Sequence, residues 1–163
     1  MKRGSTFFLR TAVILMGIPV LALCVFGLPQ VIKEAIGHIQ PGAELAYMIL
    51  GVLTVMYVST IPFYFALYQA LVLLRYIDNS QAFTELSVIS LKKIKICALI
   101  ISGLYVVVLP FIFIIAEWDD APGLVLMGLV IVGASLVIAV FAAVLERLLQ
   151  EAITIKSEND LTV

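Results

Sequence analysis

Four stretches of this chain carry no charge at all: Thr11 to Ile32, Leu45 to Leu74, Ile96 to Ala116 and Ala121 to Leu145, of 22, 30, 21 and 25 residues. A helix rises about 1.5 Å per residue and the hydrocarbon core of a bilayer is about 30 Å thick, so each stretch is long enough to cross. Inside lipid the backbone amides have no water to bond, and a helix is the single-segment structure that satisfies them internally. The pattern predicts an all-α membrane protein with four transmembrane helices in one bundle. Hydrophobic residues make up 63% of the chain, which leaves little for an aqueous domain, so residues 1–163 are read as one membrane domain with a polar tail over residues 146–163.

Charge then orients the bundle. Lys2, Arg3 and Arg10 precede the first span, Arg75, Lys92, Lys93 and Lys95 separate the second from the third, and Arg147 and Lys156 follow the fourth; Lys33 is the one basic residue on the other side. The positive-inside rule places both termini in the cytoplasm. The net charge of −1 hides this asymmetry, because acidic residues are spread over both sides: Glu34, Glu44, Glu117, Asp119 and Asp120 outside, the remaining six inside.

Helical spacing gives the second span two faces. Tyr57, Tyr64 and Tyr68 lie near one line, with Arg75 at its end, while Ser59, Pro62, Ala66 and Ala70 lie opposite. Small residues let helices approach closely in lipid, so the small face is the expected packed one. The tyrosines are a candidate ligand face, weighed against the preferred reading that their hydroxyls bond neighbouring spans. Gln69, off that line, is placed at the cytoplasmic interface. In the fourth span Gly128, Ser135, Ala139 and Ala142 share a face that ends at Glu146, and the helix is expected to run past the membrane into Leu148-Leu149. Pro19, Pro62 and Pro110 fall inside spans one to three and predict kinks. Between spans two and three, Asp78-Asn79-Ser80-Gln81 supplies helix-start chemistry, and Phe83, Leu86, Val88, Ile89 and Leu91 interleave with polar residues, which predicts a short interfacial helix. Its lysines suit anionic headgroups, or a protein partner docking at the membrane surface.

No Asp, Glu, Lys, Arg or His occupies the central part of any span, which weighs against ion-coupled transport, proton pumping and intramembrane metalloproteolysis. No phosphate loop, nucleophile elbow or His-Glu metal motif is present, so no catalytic residue, cofactor or metal is expected and the chain is read as a non-enzyme. Three carboxylates in Glu117-Trp118-Asp119-Asp120 could hold a hard cation if Glu34, His38 or Glu44 came close; a solvated turn, with Asp120 capping the fourth helix and Pro122 in its first turn, suits the residues better. Cys24 and Cys97 read as buried thiols. Lys2-Arg3 before an apolar run resembles a secretory signal, but Leu23 is too large to precede the cleaved bond at Leu21-Ala22-Leu23-Cys24.

Four segments together carry a family resemblance: Ile18-Pro19-Val20-Leu21-Ala22-Leu23-Cys24, Ile61-Pro62-Phe63-Tyr64-Phe65-Ala66-Leu67-Tyr68-Gln69-Ala70, Asp119-Asp120-Ala121-Pro122-Gly123, and the tail from Lys156 to Val163. Over essentially its whole length the chain resembles the YoaS-like proteins, uncharacterised four-span membrane proteins of bacteria. The tail is the most telling match, since membrane insertion requires nothing of Glu158-Asn159-Asp160-Leu161-Thr162. The resemblance implies a bacterial plasma membrane and brings no binding residues. It also implies a small cytoplasmic helix-turn-helix regulator as partner, because such a regulator is often encoded beside these proteins. Two functions follow. One is interaction with that regulator, without direct nucleic-acid contact, through candidate contacts Lys92, Lys93, Lys95, Asn159 and Asp160. The other is a small oligomeric transporter or ligand-binding bundle using Tyr57, Tyr64 and Tyr68. The small-residue faces serve a homo-oligomer as well as a single bundle.

Overall fold

In a computed structural model that describes residues 3–37 and 44–162, the described residues are almost wholly helical. The first span is α1 (Arg3–Ala22), a widened π turn (Leu23–Gly27) and α2 (Leu28–Gly37) in unbroken succession. Then follow α3 (Glu44–Asp78), α4 (Glu85–Trp118) and α5 (Pro122–Leu161). Four helical segments among the described residues are long and apolar enough to cross a membrane. Lys2 and His38 lie outside the described residues.

Helix α4 packs along α5 more extensively than any other pair, and recurring residues explain why. Leu91, Ala98, Tyr105 and Ile112 are buried at intervals of seven on α4, and Gly128, Ser135 and Ala142 at the same interval on α5. A seven-residue recurrence keeps one seam facing the partner in left-handed, nearly aligned packing. Gly128 brings the backbones close: a Cβ there would stand 3.1 Å from Leu109 Cδ2. The small face expected of the fourth span is thus the buried one, Ala139 included, and it ends at Glu146, which is ion-paired with Lys95 of α4.

The other helices add on in sequence. Helix α3 packs on α4, and the first span packs on α3, while the first and last spans share no extended contact among the described residues. The four spans form one assembly, arranged as an open row. Helix α3 is therefore packed on two sides, by the first span and by α4, with Ser59 of its small face buried and Pro62, Ala66 and Ala70 half-buried. Gln69 is buried, at 5% exposure, within this row.

Both described turns close a preceding helix. Ser80 adopts a left-handed conformation (φ 59°), with Gln81 N–H donating to Tyr76 O and Ser80 N–H to Ile77 O, the paired bonds of a Schellman stop. Asp120 (φ 49°) does the same after α4, with Ala121 N–H donating to Ala116 O. Two expectations are corrected here. Asp78 to Gln81 terminate α3 and do not start the next helix, whose N-cap is Thr84; and Asp120 does not cap α5, because its left-handed backbone makes it the C-terminal residue of the turn, leaving Ala121 as N-cap before Pro122. The expected short interfacial helix is likewise the first three turns of α4. No proline or glycine separates Glu85 from Ile96, and Ser87, Val88, Ser90 and Leu91 are buried, so the helix continues without interruption.

Candidate functional site

The geometry of the first span turns on Pro29. Its nitrogen carries no hydrogen, and its ring would crowd the carbonyl four residues back in a regular helix. The backbone widens by one residue just before it, and Leu28 N–H donates to Leu23 O. Cys24 O thereby loses both of its main-chain donors, Leu28 N–H to Leu23 and position 29 to proline. Tyr57 of α3 replaces them, its hydroxyl donating to Cys24 O at 2.9 Å. Tyr64 donates to Gly17 O at 2.8 Å, its ring lying against Gly17. Tyr68 donates to no described residue and is largely exposed. Of the three tyrosines of the candidate ligand face, two have hydroxyls directed onto the first span's backbone and the third faces outward.

Beside this junction lies a groove of about 530 Å³, walled by the first span and α5 and floored by α3 and α4. Val20, Leu28, Met56, Phe63, Met127 and Val130 give it an apolar surface. Ser59 and Thr60 also line it, but their hydroxyls donate to Met56 O and Tyr57 O, 2.8 and 2.6 Å away. Tyr105 lines it too; it is 8% exposed and makes no side-chain hydrogen bond among the described residues. The sequence reading missed this groove. The one signal was Tyr105, a hydroxyl in an otherwise apolar and small-residue seam.

At the opposite end of α4 and α5, α5 continues for 16 residues from Glu146 to Leu161, all helical. Ile155 and Leu161 are exposed there, as is Phe83 in the turn before α4, and a shallow depression runs between Phe83, Ala152, Ile155 and Asn159. Lys92 and Lys93 are exposed, Asn159 and Asp160 lie near the end of α5, and Lys95 turns inward to Glu146. Of the five candidate contacts, Lys95 is thus engaged with α5, while the other four are exposed. Arg10 meets Asp78 at 3.0 Å and ties the start of α1 to the end of α3. Glu34, Glu44, Glu117, Asp119 and Asp120 are exposed, and no three His, Cys, Asp or Glu side chains converge as a metal site among the described residues.

Comparison with known proteins agrees with a membrane protein. The chain is 55% identical over all 163 residues, and over the full length of the relative, to the "Uncharacterized membrane protein YoaS" of Bacillus subtilis (strain 168). No solved structure matches it. A family described as a protein of unknown function, DUF2975, matches residues 35–163, from the end of α2 through the last three spans. With that match and a full-length relative, this four-helix membrane protein belongs to the DUF2975 family.

Proposed function

We propose that the protein acts in the bacterial plasma membrane by interaction and not by catalysis, docking a cytoplasmic partner on the projecting end of α5 and the first turns of α4. The observation that carries this reading is the length of α5. Forty residues rise about 60 Å, roughly twice the hydrocarbon core, so the helix extends about 24 Å beyond Leu145. That extension presents Ile155 beside Phe83, both exposed, flanked by Lys156 and Asn159. An apolar strip with polar edges on a membrane-anchored helix is suited to an amphipathic helix of a partner. The basic clusters at this end support its cytoplasmic orientation. A small helix-turn-helix regulator is the partner implied by the resemblance.

Crosslinking and affinity capture of the full chain from its native membrane test this reading, against F83E/I155E and against a chain truncated after Lys156. Recovery of a cytoplasmic regulator that both changes abolish supports docking; recovery that neither change alters refutes it. A second reading, a ligand-binding bundle, is favoured by one observation, the groove between the first span and α5.

A further inference from the structure

The geometry points to a binding site, in the groove between the first span and α5, for a neutral bilayer-dissolved molecule with an apolar body and a carbonyl acceptor, the chemical class of the isoprenoid quinones. The inference rests on the ligand-binding reading and is independent of the docking surface on α5.

Three features select this occupant. The first is depth. Tyr105 lies nine residues past Ile96, about 14 Å along α4 and so near the middle of a hydrocarbon core of about 30 Å. A charged or zwitterionic headgroup is excluded at that depth by its desolvation cost. The second is the disposition of polar groups. Ser59 and Thr60 donate to their own helix and Cys24 O accepts from Tyr57, so beside the weak thiol donor of Cys24 the unbonded hydroxyl among the lining residues is that of Tyr105. The Tyr105 ring is nine-tenths buried while its hydroxyl stays accessible and unbonded among the described residues, which an acceptor on an otherwise apolar molecule would match. The third is the lining. Met56, Met127 and Phe63 offer thioether and aromatic contacts that suit a flat ring, and about 530 Å³ lies within the range of small-molecule pockets.

A helix of a second copy fits less well. Close helix packing in lipid calls for small residues, and this lining is mostly large.

The test uses the full chain in mild detergent with menaquinone-4 as probe, its retention followed by size exclusion at the quinone absorbance. Wild type is expected to retain one quinone per chain. Y105F should bind roughly three- to twentyfold more weakly, the range of a single hydrogen bond in lipid. V130W, at a groove residue that is 61% exposed, should fill the groove and abolish retention while circular dichroism and melting stay unchanged. Squalene, apolar but lacking an acceptor, should not displace the quinone at equal concentration. No retention by wild type, unchanged affinity in Y105F, unchanged retention in a folded V130W, or displacement by squalene would each overturn the proposal. A docking defect in the α5 truncation that leaves quinone retention intact separates the two sites.

Discussion

Replacing Tyr57 with Phe removes one oxygen and leaves Cys24 O, already deprived of both main-chain donors, without a partner inside hydrocarbon. Interhelical hydrogen bonds in membranes contribute about 0.6 kcal/mol on average and up to about 1.7. A carbonyl left unsatisfied raises the loss toward about 1–3 kcal/mol, so we expect Y57F to destabilise by about 1–2 kcal/mol. The cause assigned to Pro29 sharpens this. P29A restores an N–H at the position that a π turn would pair with Cys24 O, and if the helix tightens to α geometry, Leu28 N–H serves instead. In the P29A background Y57F should therefore cost less than about 0.5 kcal/mol, a coupling of about 1 kcal/mol across the cycle. Equilibrium unfolding of the four proteins in mixed micelles measures it. Equal losses in both backgrounds, or no loss in either, would refute the account of the junction.

At Gly128, an added methyl requires Leu109 Cδ2 to yield by a few tenths of an ångström, and the gain of about 1 kcal/mol in helix propensity offsets this, so G128A should be near neutral. G128L should wedge α4 from α5 and cost about 1–3 kcal/mol in the same unfolding assay, and a neutral G128L would sink the close-approach argument. Ser80 and Asp120 hold left-handed conformations that glycine adopts freely, so S80G and D120G should each raise the melting midpoint, by about 0.5–1 kcal/mol in stability. Lys95 and Glu146 are 26% and 12% exposed, so K95M and E146L should each destabilise by about 1–2 kcal/mol and K95M/E146L should recover most of the loss; strictly additive losses would show that the pair does not couple.

The buried face of α5 was legible because Gly128, Ser135, Ala139 and Ala142 recur on one helical face, whereas the small residues Gly133 and Ala134 fall off it and are exposed. The four spans were legible because charge-free runs have no other solution in lipid. The groove was not, since it depends on which helices are neighbours, and no local pattern says that the first and last spans stay apart. Pro29 was overlooked because it falls near the end of an apolar run, where a proline reads as a boundary; its effect appears five residues back, at a carbonyl that a tyrosine on another helix completes. The caps at Asp78 and Asp120 were misread because Asp and Ser serve helix ends as well as starts, and the sign of φ decides between them.

Tyr57 meets Cys24 and Tyr64 meets Gly17, so donors and acceptors are each seven residues apart and run in opposite directions along the two helices. They form two rungs about 10 Å apart. Greasy surfaces slide past one another in lipid with little penalty, whereas a hydroxyl bonded to a carbonyl cannot move a full turn without breaking. The first span and α3 therefore move as a single plate, and a thinner or thicker bilayer is met by tilting the plate, with the relative height of its two helices unchanged.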